Sequence, residues 1–492
     1  MQSPTQNQEA TSSSKDRPST DVSPTTALPS VSGDQPLAKR SSPTVHVKYE
    51  LFPFHKEVIK TLSVCGSMLV FGSGNENDLV KVVSFSATEN HINYRQVQVH
   101  KLMSNRQNFI EWSPNGQYLA LGWDKVTVWQ YQGGMFSRFK EHPDVLYEVT
   151  AFTWCPNSLK YAVAGINTSL SIFVRSLESD EKIKELKNEV KVLGLVWDPF
   201  DKHLASLMSN NEVVVYKCAS WERSQTINLN LNPQKPLSSV AKREDRKIDW
   251  SPDFRYLLVP ALDDRTVPLV VALNRNNNFS ARCVFTGPFS SINCVKFSPI
   301  LYLYNNTEPI NVFAMGDNDG SISVWGIGER FYSKQPFFLL KSHKDENELI
   351  EDIEWSDDGR VLFASTFKRY LVTMLIDEGS FGRRLNNEEK RAHLENVYGS
   401  MRSFASTQNE FKIYKFGEVR NERATVEDTY AKKLLAEENK ISHQEPQEFV
   451  FTEQKTIKDG GKKRIIPSVL VKKDEAEAAK SRVEAIINGT TS

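Results

Sequence analysis

The sequence predicts an all-β protein: a seven-bladed β-propeller with a disordered N-terminal tail and a partly helical C-terminal tail. Three observations predict it. An aromatic followed by a polar turn recurs at Trp112, Trp154, Trp197, Trp250, Phe297 and Trp355, with successive spacings of 42, 43, 53, 47 and 58 residues. Each copy has the same internal order: an apolar strand ending in the aromatic, a turn, a second strand, another turn and a third strand. A fainter seventh copy spans 58–85, and "VHVKYELF" (45–52) is a strand with no repeat of its own. Short strands at an even period with a turn in each gap read as propeller blades.

Taken in order, residues 1–44 are rich in Ser, Thr and Pro and poor in large apolar side chains. Such a stretch cannot bury enough surface to offset its ordering entropy, so disorder is expected. Ser3-Pro4, Ser23-Pro24 and Ser42-Pro43 fit proline-directed phosphorylation as well as they fit incidental pairs in a polar tract. The propeller is expected over 45–382. Its first strand, 45–52, supplies the missing outer strand of the last blade and closes the ring, which protects sheet edges. The aromatic before each turn is expected to pack between neighbouring blades. The pattern resembles the WD40 repeat, although no blade carries Trp-Asp in its final strand; "VTVWQ" and "SISVWG" come nearest.

Composition narrows the function. Lys and Arg total 61, as do Asp and Glu, so the chain as a whole is not a polycation built to wrap nucleic acid. Five cysteines (65, 155, 218, 283 and 294) form no CxxC pair, which points to free thiols in a reducing compartment. No run of about 18 apolar residues and no secretory leader is evident, so a soluble cytosolic or nuclear protein is expected. The phosphate-binding, serine-hydrolase and zinc-protease motifs are missing. His142 and His343 sit where a propeller places a histidine that bonds within its blade. Asp317, Asp319 and Gly320 read as a tight turn before a strand and not as a calcium site. Binding, not catalysis, is expected, with no cofactor and no metal.

After 382 the pattern changes. Residues 383–450 read as a charged, partly helical linker, with helices at 386–398 and 421–440; another helix is expected at 473–488 within a short tail, 474–492. Between them lies "FTEQKTIKDGGKKRIIPSVLVKK" (451–473). Alternation puts Ile465, Pro467, Val469 and Val471 on one side of an extended strand and Ile466, Ser468, Leu470 and Lys472 on the other. Pro467 cannot donate a ladder bond, so the strand fits only a sheet edge. Two destinations fit: the open sheet edge of another protein, or the propeller's own outer strand.

The chain resembles the Hir/HIRA family of histone chaperone subunits. The resemblance rests on "VLGLVWDPFDKHLAS" (192–206), "VVVYKCASWERSQTI" (213–227), "DWSPDFRYLLVPALDD" (249–264), "FTGPFSSINCVKFSPILY" (285–302), "LIEDIEWSDDGRVLFAS" (349–365) and "IDEGSFGRRLNNEEKRAHLENVYG" (376–399). "KDGGKKRIIPSVL" is similar to the family's B-domain, a Lys-Asp-Gly, basic residues, Ile-x-Pro pattern, with Gly461 an extra residue. The resemblance implies that Arg464, Ile465 and Pro467 add as a strand to the anti-silencing-function histone chaperone, with Lys462 and Lys463 leading in and Leu470 as an apolar anchor. It also implies a nuclear, non-enzymatic subunit of a HIR complex that deposits histones H3 and H4 independently of replication and represses transcription. Its partners would be that chaperone, histones H3–H4 indirectly, other HIR subunits and chromatin. Family members continue past this segment into an assembly domain; here about 20 residues follow, so a short member or an assembly domain on another subunit is expected. The alternatives are the propeller subunit of chromatin assembly factor one and a ubiquitin-ligase substrate receptor. The Tyr398-Gly399 exit and the basic-Ile-x-Pro spacing favour the Hir reading over the first. The lack of Trp-Asp-x-Arg disfavours the second.

Overall fold

The computed structural model describes residues 45–51, 58–73, 80–88, 92–99, 107–142, 147–166, 170–179, 181–229, 247–262, 268–286, 290–341, 349–367, 370–398, 447–451, 456–459, 462–465 and 470–472. Residues 1–44, the helices expected at 421–440 and 473–488, and His343 and Pro467 lie outside them.

The chain begins with β1 (Val45–Leu51), which belongs to the last blade. Blade 1 follows as β2 (Ile59–Cys65), β3 (Met68–Ser73), β4 (Lys81–Ala87) and β5 (Ile92–Val99). Blade 2 is β6 (Phe109–Trp112), β7 (Tyr118–Gly122), β8 (Val126–Gln132) and β9 (Met135–Glu141). Blade 3 is β10 (Glu148–Trp154), β11 (Lys160–Ile166), β12 (Ile172–Ser176) and β13 (Lys182–Leu186). Blade 4 is β14 (Val192–Trp197), β15 (His203–Met208), β16 (Glu212–Lys217) and β17 (Arg223–Asn228). Blade 5 is β18 (Asp249–Trp250), β19 (Tyr256–Leu262), β20 (Pro268–Asn274) and β21 (Ser280–Thr286). Blade 6 is β22 (Ile292–Tyr304), β23 (Glu308–Asp317), β24 (Ser321–Gly328) and β25 (Phe338–Lys341). Blade 7 is β26 (Ile350–Trp355), β27 (Val361–Thr366), β28 (Tyr370–Ile376) and β1. Every blade is an antiparallel meander. β1 pairs with β28 from Val45↔Ile376 to Leu51↔Tyr370, so the first strand closes the ring.

Packing explains the aromatic repeat. Trp112, Trp154, Trp197, Trp250, Phe297 and Trp355 are all buried. Each belongs to an apolar layer shared by two adjacent blades, and there are seven such layers. The layer between blades 7 and 1, with Phe85 edge-on to Phe363, completes the circle. Polar bonds stitch the inner strands. Trp154 Nε1 donates to the Glu111 carbonyl (3.1 Å) and Trp355 Nε1 to the Lys296 carbonyl (3.1 Å). The backbone amide of Trp197 donates to Thr153 Oγ1 (3.2 Å), and that of Phe297 to Asp249 Oδ2 (2.8 Å). The Asp317 turn is as expected: its Oδ1 accepts from the amides of Ser321 (2.7 Å) and Asp319 (3.1 Å). His142 is buried in its blade beside Tyr161 and Phe173. All five cysteines are free thiols.

The exit from blade 7 folds back. β29 (Arg383–Arg384) pairs with Tyr302–Leu303 of β22, and α1 (Asn387–Tyr398) follows. Asn386 and Glu389 form a reciprocal cap: the Glu389 amide donates to Asn386 Oδ1 (2.8 Å), and the Asn386 amide to Glu389 Oε2 (2.9 Å). Four further strands lie beyond: β30 (Gln447–Phe451), β31 (Thr456–Asp459), β32 (Lys462–Ile465) and β33 (Leu470–Lys472).

Candidate partner-binding site

The sequence-predicted site residues fall on the last of these strands. Lys462, Lys463, Arg464 and Ile465 form β32, and Leu470 opens β33. The described residues of the segment fall in two strands, and residues 466–469 between them lie outside the described residues. β32 pairs with β31, from Thr456↔Ile465 to Asp459↔Lys462, as a two-stranded sheet of its own. The two residues between Asp459 and Lys462 are Gly460 and Gly461, the composition a two-residue hairpin takes. Gly461, extra to the family pattern, thus falls in the interval between the two strands. β33 pairs with β30, Leu470 standing opposite Phe451 and Val471 opposite Val450. β30 in turn pairs with β1 over Val45↔Phe449, His46↔Glu448 and Val47↔Gln447.

Blade 7 is therefore a six-stranded sheet, β26-β27-β28-β1-β30-β33. Of the described residues of the segment, Phe451 and Leu470–Lys472 extend blade 7, while Lys462–Ile465 pair with β31 in a sheet of their own. The cause of the extension is the edge that β1 leaves once it has closed the ring. A row of unpaired amides and carbonyls is a template for another strand. Gln447–Val450 of this strand falls in the stretch expected as linker and Phe451 opens the expected strand segment; "QEFVF" is too short a signal to stand out.

The channel holds a second constellation that motif reading missed. The residue before each inner-strand aromatic is Glu111, Thr153, Val196, Asp249, Lys296 or Glu354. Lys296 Nζ is 2.9 Å from Glu354 Oε1, bridging blades 6 and 7. Lys247, just before blade 5, reaches Asp352 of blade 7 at 2.5 Å. Asp352 also accepts from the Leu62 amide (2.9 Å) and Thr61 Oγ1 (3.1 Å) of blade 1. Burial pushes the Glu111 carboxyl up to about 7 against the pull of Lys296 and Lys247, with Glu354 adding to the rise. Burial likewise raises Asp249 and Glu354. For Lys247 and Lys296 burial works the other way, but the facing carboxylates outweigh it and hold both ammonium groups up. The signal in the sequence was the polar residue recurring before the aromatic.

A third cluster ties blade 4 to blade 5. Arg275 forms a two-pronged pair with the fully buried Asp198 and lies over the rings of Phe200 (4.9 Å) and Trp250 (5.4 Å). Burial would raise Asp198, but His203 and Arg275 more than offset it, so its carboxyl sits below the usual range. α1 docks beside this cluster. Tyr398 meets Phe200 edge-on and donates its hydroxyl to the Asp253 carbonyl (3.0 Å), and His393 Nε2 lies 3.6 Å from Asp253 Oδ2.

No family model matches the chain. Among curated proteins it is similar to protein hir1 of Schizosaccharomyces pombe, 24% identical over 299 residues, which is 57% of this chain and 31% of the relative. It is 23% identical to protein hir1 of Aspergillus terreus over 355 residues, 67% of this chain and 33% of the relative. It is 24% identical to protein HIRA of Caenorhabditis elegans over 309 residues, 58% of this chain and 31% of the relative. The chain spans about a third of the length of these relatives. The seven-bladed ring closed by its first strand, together with relatives named hir1 and HIRA in fungi and a nematode, supports a likeness to the Hir/HIRA family.

Proposed function

We propose that this protein is a non-enzymatic scaffold subunit of a HIR-type chromatin assembly in the nucleus. The propeller docks other HIR subunits, and the tail captures the anti-silencing-function chaperone that carries histones H3 and H4. The complex would then deposit those histones independently of replication and repress transcription. The observation that supports the reading is a coincidence of two independent features: a propeller similar to this family's, and a basic-Ile-x-Pro segment with strand-forming residues. On the chaperone, main-chain bonds from the strand would give affinity, Ile465, Pro467 and Leu470 would set register, and Lys462, Lys463 and Arg464 would speed encounter with an acidic surface.

Calorimetric titration of a 451–473 peptide into the purified chaperone tests the reading. Micromolar or tighter binding is expected, and Ile465→Ala with Pro467→Ala should weaken it by tenfold or more. A peptide that gives no binding overturns the proposed partner.

A further inference from the structure

β32 and β33 carry the two halves of the candidate binding segment, and they lie in two different sheets. Addition to a partner's sheet edge needs one continuous strand through Arg464 to Leu470. Here its two described halves already pair with other strands of the chain. Arg464 stands opposite Ile457 and Ile465 opposite Thr456 in the hairpin, while Leu470 stands opposite Phe451 at the rim of blade 7. β33 also runs beside β25 of blade 6, so it lies against the ring itself. The pairings are short. β30 meets β1 over three residues, and β33 meets β30 over three. Pairings that short are marginal by themselves and exchange readily with a better partner.

We infer that the outer edge of the closing blade is a docking site for the chain's own tail, and that it holds the chaperone-binding strand in reserve. In the docked state β30 and β33 extend blade 7, and the binding segment is split. In the released state β33 leaves β30, the hairpin opens, and the segment becomes one strand for the partner. The two states exclude each other, so the chain's apparent affinity equals the affinity of the free segment scaled by the released fraction. This inference rests on the strand-addition reading of the tail.

The test uses the full chain with the purified anti-silencing chaperone as probe. Val450→Cys with Val471→Cys places two thiols at directly opposed positions of β30 and β33, within disulfide reach. Oxidation should form the bond, and the locked chain should bind the chaperone at least tenfold more weakly than the same variant after reduction. Phe449→Pro removes an amide from a strand flanked on both sides. It should bring the full chain to the affinity of the 451–473 peptide, with the unmodified chain roughly tenfold weaker than either. Failure of the disulfide to form overturns the docked state. Equal affinity of peptide, unmodified chain and locked chain overturns the competition while leaving the strand-addition reading intact. A peptide that does not bind removes that reading, and the competition with it.

Discussion

Blade 7 receives strands from both ends of the described chain, and it holds them differently. β1 pairs with β28 across seven residues and is linked to blade 1 by the seven residues 52–58. β30 pairs with β1 across three, and 48 residues separate it from α1. A net hydrogen bond contributes only ~1 kcal/mol. The operation is the same, a strand added to an open edge, but one addition completes a ring and the other sits near balance. Ring closure also brings an apolar layer: blade 7 packs on blade 1 through Val361, Phe363, Leu371 and Leu375. An edge that must stay shut and an edge that can open thus lie on opposite sides of one strand.

The comparison breaks most visibly if β1 is removed. Deleting Val45–Leu51 leaves blade 7 with three strands and a bare β28 edge. Scanning calorimetry should show the melting temperature down by more than about 10 °C, or a broad transition without cooperativity. A sharp transition at the original temperature would mean that the ring does not depend on its first strand.

The buried Asp198–Arg275 pair comes next. Asp198→Asn leaves the guanidinium without its counter-charge between blades 4 and 5, and should cost about 3–5 kcal/mol by urea unfolding at pH 7. The pH dependence has a definite sign. Asp198 is held below its ordinary 3.8, so its contribution is present above that value and disappears as pH falls through the lower, folded value. The unmodified protein should lose stability below about pH 4, and the variant should lose less.

Glu111 gives the opposite sign and a smaller effect. Its carboxyl is raised from 4.5 to about 7, so folding favours the protonated form and stability falls as pH climbs between those values. Glu111→Gln should match the unmodified protein near pH 4 and exceed it by on the order of 1 kcal/mol at pH 8. Equal stability at both pH values would show that Lys296 and Lys247 fully neutralise the carboxylate.

What was legible in the sequence follows the same division. Trp112, Trp154, Trp197, Trp250 and Trp355 announced the ring because each does the same packing at a regular interval. Val45–Leu51 was readable as the closing strand because a strand without a blade has one vacancy to fill. The channel charges were only half visible: Glu111, Asp249, Lys296 and Glu354 recur at one position, but the cross-channel bond from Lys247 to Asp352 joins residues 105 apart. No local pattern encodes it. The tail was legible as strand-forming, yet its partner was not, because alternation gives a strand its faces and says nothing of which edge it meets. Ile465 and Leu470 fit one extended strand by alternation; the structure puts them in two sheets.

The smallest effect is the sharpest test of the contrast. If the tail strands sit near balance on blade 7, Phe449→Pro should leave the melting temperature within about 2 °C of the original, since β30 meets β1 and β33 over three residues each. Deuterium uptake should report what the melting curve does not. Amides of 447–451 and 470–472 should exchange faster in the variant, while those of β28 keep their protection. A large fall in melting temperature would mean that the ring leans on the tail and that the two edges of β1 are equally essential. Unchanged exchange in 447–451 would mean that the strand was already open in solution. Slow exchange in the original chain, lost in the variant at nearly constant stability, is the pattern that a reversible edge beside a permanent one requires.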